Sequence, residues 1–278
     1  MKPHASVPAQ SGRVSMARAW LALGCLCVIL GLQACAGPSH APAGEPRTDS
    51  DQTSADRRAA VRMELASGYF ARGQYSTALD EIKQALQVKP DMREALNLRG
   101  LVYAALGEMG LAEESFRRAL SLSPRDADTL HNYGWFLCQQ EQWAAASAQF
   151  DLALAQPSYR APSRTFLAKG VCEARSRQWA DAERTLARAF ELDPASPAVA
   201  MNLADVLYRT GQWERARFYV RRVNSKPEQS NAQSLWLALR IERRLSNSVA
   251  VEEYGQQLHR LYPQSAEAQA LENGRFDD

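Results

Sequence analysis

Hydrophobic and polar positions divide the 278-residue chain into three unlike stretches. Residues 19 to 32, "AWLALGCLCVILGL", form an uncharged apolar run. Residues 36 to 58, "AGPSHAPAGEPRTDSDQTSADRR", hold three Pro and no large apolar side chain. From residue 59 onward the apolar positions return with a long period. The alanines that open every second helix, Ala78, Ala112, Ala146, Ala182, Ala216 and Ala250, are separated by 34, 34, 36, 34 and 34 residues. Five residues before the first five stand Gly73, Gly107, Glu141, Arg177 and Gly211, at a turn; three before stand Tyr75, Met109, Trp143, Trp179 and Trp213. Pro90, Pro124, Pro157, Pro194, Pro227 and Pro263 close the units, since proline cannot continue a helix. Gly100, Gly134 and Gly170, with Ala66 and Ala204, keep one position of the first helix small. A self-similar period of this length predicts stacked helical hairpins.

The pattern resembles the tetratricopeptide repeat, a pair of antiparallel helices. It predicts an all-α fold, a tetratricopeptide repeat solenoid of about six units, near 59–92, 93–126, 127–160, 163–196, 197–230 and 231–264. The sixth keeps Ala250, Tyr254 and Pro263 but lacks a turn glycine. The resemblance implies that first helices line a concave face that binds peptides or helices. Its groove-facing positions fall on Met63, Phe70, Asn97, Leu101, His131, Trp135, Leu167, Val171, Met201, Asp205 and Tyr208. That lining is largely apolar, so it is expected to take an amphipathic helix or apolar segment. Some of these side chains are equally expected to pack between neighbouring helices.

The apolar run is too short for a comfortable membrane span of roughly 20 residues. It follows Arg13 and Arg18 and precedes any acidic residue, which first appears at Glu45. This is the anatomy of a secretory leader. Leu32-Gln33-Ala34-Cys35 resembles a bacterial lipobox, which implies cleavage before Cys35 and a lipid on that cysteine. The expected organisation is a signal peptide over 1–34, a lipidated N-terminus and disordered tether over 35–58, repeats over 59–264 and a tail over 265–278. Ala36, rather than Asp, follows the cysteine, which by resemblance to enterobacterial lipoproteins favours the outer membrane, facing the periplasm. Without the leader, 30 basic residues stand against 31 acidic ones, and no block of like charge supports nucleic-acid binding.

No enzyme site is legible. Only His131 and His259 lie within the repeats, and no metal-ligand spacing, phosphate loop or nucleophile elbow appears. The expected cofactor and small-molecule complement is therefore nil, apart from the lipid. Cys138 and Cys172 fall on consecutive first helices, close enough for a disulfide or for two buried thiols. An oxidising compartment favours the bridge.

"VRMELASGYFARGQYSTALDEIKQAL", followed later by "HNYGWFLCQQ", resembles the PilF/PilW family of type IV pilus biogenesis lipoproteins. The resemblance spans Cys35 to about Pro263 and implies a pilotin, which binds the secretin subunit of the pilus pore and promotes its localisation or assembly. A lipoprotein adaptor that recruits peptidoglycan hydrolases or other envelope enzymes is the alternative. For the anchor, Cys35→Ser is expected to abolish lipidation and release the protein from membranes. Mass spectrometry of the mature N-terminus checks it, and an unmodified residue there in the parent protein would refute the lipoprotein reading.

Overall fold

The computed structural model describes residues 53–276. The leader, Cys35 and most of the expected tether lie outside the described residues. Among those described are thirteen helices and no strand. They alternate as first and second members of six hairpins. The first helices are α1 (Ser54–Ala71), α3 (Arg93–Ala105), α5 (Ala127–Gln139), α7 (Pro162–Arg175), α9 (Pro197–Arg209) and α11 (Ala232–Arg244). The second helices are α2 (Tyr75–Val88), α4 (Met109–Leu122), α6 (Trp143–Leu154), α8 (Trp179–Leu192), α10 (Trp213–Asn224) and α12 (Ser248–Leu261), and α13 (Ala266–Glu272) closes the array. No described helix is long and apolar enough to cross a membrane.

Close approach within each hairpin rests on one small residue facing one large residue sixteen positions later. Gly100 faces Phe116, Gly134 faces Phe150 and Gly170 faces Leu186; a Cβ added at these glycines would lie 2.7, 2.9 and 2.5 Å from the partner's side chain. The two hairpins with alanine at the small position, Ala66 and Ala204, use the β-branched partners Ile82 and Val220, and all of these partners are buried. The sixth hairpin inverts the pair, with Leu239 on the first helix and Gly255 on the second. A Cβ at Gly255 would meet Leu271 of α13 at 3.3 Å and Leu239 at 3.8 Å. The inversion opens a seat for the closing helix, so residues 266–272 pack against the last hairpin where a tail was expected.

Turns need a left-handed residue. Gly73, Gly107 and Gly211 supply it at φ 72°, 82° and 76°, but so do Glu141, Arg177 and Ser246 at φ 58°, 60° and 57°. Side chains disfavour that region, so these three hairpins close at a small local cost. Ser246 lies 35 residues after Gly211, which makes Val251 the structural counterpart of Ala216: its N–H bonds the Asn247 carbonyl, as that of Ala216 bonds Gln212. The alanine register through Ala250 is thus off by one in the sixth unit.

The expected tether boundary at residue 58 also moves. Thr53 accepts a hydrogen bond from the Asp56 N–H, and the Asp56 carboxylate accepts from the Thr53 N–H, a reciprocal cap that starts α1 at Ser54. Lys89 reaches Asp56 at 2.7 Å and, with the Thr53 bonds, holds its carboxyl well below the usual carboxylate range. The side chains before Ala59 contribute a cap and an ion pair, so a stretch without large apolar residues still joins the helix.

Gly134→Ala tests the packing rule. Alanine is the better helix former by about 1 kcal/mol, yet overpacking against Phe150 costs about 1–3 kcal/mol. Urea unfolding is expected to show a net loss of stability, and a gain would refute the close-approach account.

Candidate partner-binding groove

The first helices carry the expected groove residues, but the packing divides them. Met63 and His131 retain under a tenth of their surface. Met63 belongs to the core cluster around Ala66 and Ile82. His131 Nδ1 lies 2.9 Å from Thr165 Oγ1 on the next first helix, and its ring packs near Phe150. Neighbouring helices therefore take both residues into contacts between repeats. Phe70, Leu101, Trp135 and Leu167 are half-buried against core clusters. Asn97 accepts from Asn132 Nδ2 at 3.1 Å, a polar tie between α3 and α5. The stripe Phe70, Leu101, Trp135 and Val171 is half-buried at each position rather than openly exposed.

Cys138 on α5 and Cys172 on α7 are both buried and joined as a disulfide, with Cα atoms 5.8 Å apart. The bridge links the first helices of the third and fourth hairpins.

Three hollows lie along α7, α9 and α11. A hollow of about 460 Å³ is lined by Val171, Arg175, Arg177, Trp179 and Arg209, together with Asn202 and Asp205. Asn202 and Asp205 also line the next, of about 280 Å³, with Met201, Trp236, Arg240 and Glu267. Arg240 in turn borders a third, of about 310 Å³, with Tyr208, Trp213, Arg243, Arg244 and Phe276. Shared walls make the three one furrow. Of the expected residues, Val171, Met201, Asp205 and Tyr208 lie on it.

Its chemistry corrects the apolar expectation for this half of the array. Six arginines line it against two acids, Asp205 and Glu267, and Asp205 is already paired with Arg209 at 2.7 Å. Arg175, Arg209 and Arg243 recur at 34-residue spacing at the C-terminal ends of first helices, where a cation also suits the helix dipole. Arg175 stacks over Trp143, and Arg209 over Trp179, with guanidinium carbons 5.5 and 5.8 Å from the ring centroids. Both tryptophans are half-buried, Trp143 packing against the core cluster that holds Ala146 and Phe150 of its own hairpin, and each is capped by an arginine of the following unit. A recurrent arginine one period after another was a signal in the sequence, hidden because only small, turn and apolar positions were aligned.

Such a surface is chemically suited to aromatic side chains and carboxylates. Among the described residues no group of three or more His, Cys, Asp or Glu is placed to hold a metal ion.

Comparisons with known proteins agree with the geometry. Tetratricopeptide repeat models match residues 63–128 and 174–238. The type IV pilus assembly protein PilF of Pseudomonas aeruginosa is 30% identical over 210 residues, covering 76% of this chain and 83% of that protein. The crystal structure of PilW, described as a widely conserved type IV pilus biogenesis factor, superimposes with a TM-score of 0.72 at 35% identity, over 77% of this chain and 97% of that one. A structure of P. aeruginosa PilF gives 0.70 at 29% identity, over 80% and 100%.

Burial, reinforced by the charge of Arg164, holds the His131 imidazole at about 4. An unfolded histidine titrates near 6.5. The unfolded chain therefore takes up this proton first as pH falls. Stability is unaffected by His131 above about pH 6.5 and is lost between 6.5 and about 4, by at most about 3 kcal/mol. His131→Asn is expected to remove that part of the acid sensitivity. Urea unfolding of parent and variant at pH 7, 5 and 4 checks it; parallel pH profiles would refute it.

Proposed function

Because the chain belongs to the PilF/PilW family of tetratricopeptide repeat proteins of type IV pilus biogenesis, we propose that it is a pilotin. In this reading it is anchored by a lipid on Cys35 to the outer membrane, faces the periplasm, and binds the pilus secretin subunit through its first helices. The observation that carries the reading is the likeness to PilW, 35% identical and matched over 97% of its length. The relatives are named for pilus assembly and biogenesis, and a repeat scaffold acts by holding other proteins. The leader ending in Leu32-Gln33-Ala34-Cys35 supports the anchor. A secretin segment held in the groove would be shielded from aggregation until it reaches the bilayer. The lipid keeps the scaffold beside its destination and raises the local concentration of both.

Trp135 is the best anchor for such a segment, because it is large, central in the array and half-exposed on a first helix. Trp135→Ala is expected to weaken secretin capture by at least about tenfold, a loss of about 1.4 kcal/mol. Its contact with the core around Phe136 and Phe150 will also lower the melting temperature, so capture is measured well below the transition, with helicity checked by circular dichroism. Undiminished capture by the folded variant would refute the groove assignment. Amidases or endopeptidases in place of the secretin would favour the adaptor reading.

A further inference from the structure

Arg175 and Arg209 stand at a position that the three earlier hairpins fill without charge, with Ala71, Ala105 and Gln139. Those hairpins stack without a cation there, so helix pairing does not demand one. Arg177 occupies the left-handed turn position at φ 60°, where Gly73, Gly107 and Gly211 stand in three other hairpins. A side chain there is held against the preference of its own backbone, a kind of strain that concentrates at functional sites. All three arginines line one hollow of about 460 Å³. Val171 and the half-buried Trp179 also line it, together with a single acid, Asp205. Asp205 is already engaged, because its carboxylate accepts from Arg209 Nε at 2.7 Å. Among the described residues no carboxylate forms an ion pair with Arg175 or Arg177. Three guanidiniums thus share a recess with one carboxylate.

We propose that this hollow, between α7 and α9, docks an acidic segment of a partner protein. Charge complementarity selects the occupant. Arg175 lies over Trp143 and Arg209 over Trp179, so two of the guanidinium planes are set before a ligand arrives. A pre-set planar fork loses less freedom per hydrogen bond formed than a lysine would. Arg209 gives its Nε to Asp205 and keeps its terminal nitrogens for a second acceptor. Charged acceptors with two oxygens suit such donors better than neutral amides with one. Val171 and the Trp179 ring add an apolar lining, which suits an apolar residue between the acidic ones.

The site deepens the scaffold reading, on which it rests, by naming the chemistry of a partner segment. Its probe is a short peptide rather than the secretin, so failure of secretin capture and failure of this site are separate results. The probe is fluorescein-labelled Gly-Asp-Glu-Leu-Asp-Glu, amidated at its C-terminus and titrated by fluorescence anisotropy into the full chain. It is expected to bind at least tenfold more tightly than the isostere Gly-Asn-Gln-Leu-Asn-Gln, and to weaken at least fivefold when salt rises from 50 to 500 mM. Arg175→Gln combined with Arg177→Gln is expected to weaken binding at least tenfold. Arg117→Gln combined with Arg118→Gln, an equal change of net charge on α4, is expected to leave it within twofold. Arg177→Gly is expected to raise the melting temperature, by relaxing the turn, while weakening the peptide at least threefold. The proposal is overturned if the parent binds neither peptide or both equally, if the α4 pair costs as much as Arg175 and Arg177, or if folded Arg177→Gly binds as tightly as the parent. Phosphatidylglycerol vesicles that sediment with the parent but not with the Arg175→Gln, Arg177→Gln variant would assign these arginines to a lipid surface and also overturn it.

Discussion

Everything in this solenoid depends on how closely two antiparallel helices can approach. A glycine against Phe116, Phe150 or Leu186 lets the ring or branched chain of one helix lie on the backbone of the other. Alanine stands opposite the β-branched Ile82 and Val220. Because the hairpins share one spacing, each presents the same surface to its neighbour, and the array propagates. Reversing the pair to Leu239 and Gly255 keeps the spacing of the last hairpin while moving the vacancy to its outer helix. Leu271 of the closing helix fills it. The array ends there because its last apolar surface is covered.

Links between hairpins are unequal in strength. Exposed pairs such as Arg164 with Asp128 are worth about 0–1 kcal/mol each. The Cys138–Cys172 bridge closes 34 residues of chain, for which loop entropy gives about 3–4 kcal/mol. Glu242 is 1% exposed and accepts from Arg221 at 2.7 Å and from Asn247 at 2.9 Å. The Arg221 side chain is half-exposed and Arg217 also reaches Glu242, at 3.6 Å, so neither cation alone is indispensable to the buried carboxylate. Covalent linkage holds the middle of the array, and the Glu242 carboxylate ties α11 to α10.

The sequence made the repeat legible because helix pairing places strict demands on few positions. Small residues, turn residues and prolines recur at fixed spacing whatever the surface does. The details that escaped belong to positions where several residue types satisfy the same physics. Glu141, Arg177 and Ser246 adopt the turn conformation without being glycine, so the extra residue before Ser246 stayed invisible and Ala250 looked in register. Thr53 and Asp56 begin a helix by hydrogen bonding, which an apolar pattern cannot report. The closing helix has only Ala268 fully buried, too weak a signature to separate it from a tail. The groove was half legible. Position within a repeat identifies which helix faces inward, but it does not say which side chains their neighbours will cover, as Met63 and His131 illustrate.

The concave side changes character along the array. Up to α5 its larger side chains are spent in packing, with Trp135 the largest still half-open. From α7 onward the first helices end in arginines, and each arginine needs a flat or acidic neighbour. Trp143 and Trp179 meet that need from the preceding hairpin, so the same tryptophans that follow the turns also orient the cations of the next unit. At the last hairpin Arg243 lies over Phe276, although Trp213 of the preceding hairpin stands at the place corresponding to Trp143 and Trp179. A stacked guanidinium keeps its N–H groups at the edge of the ring, directed outward and only partly hydrated. The solenoid thereby turns a device for joining repeats into a row of oriented donors, and the cationic end of the groove follows from how its repeats are stacked.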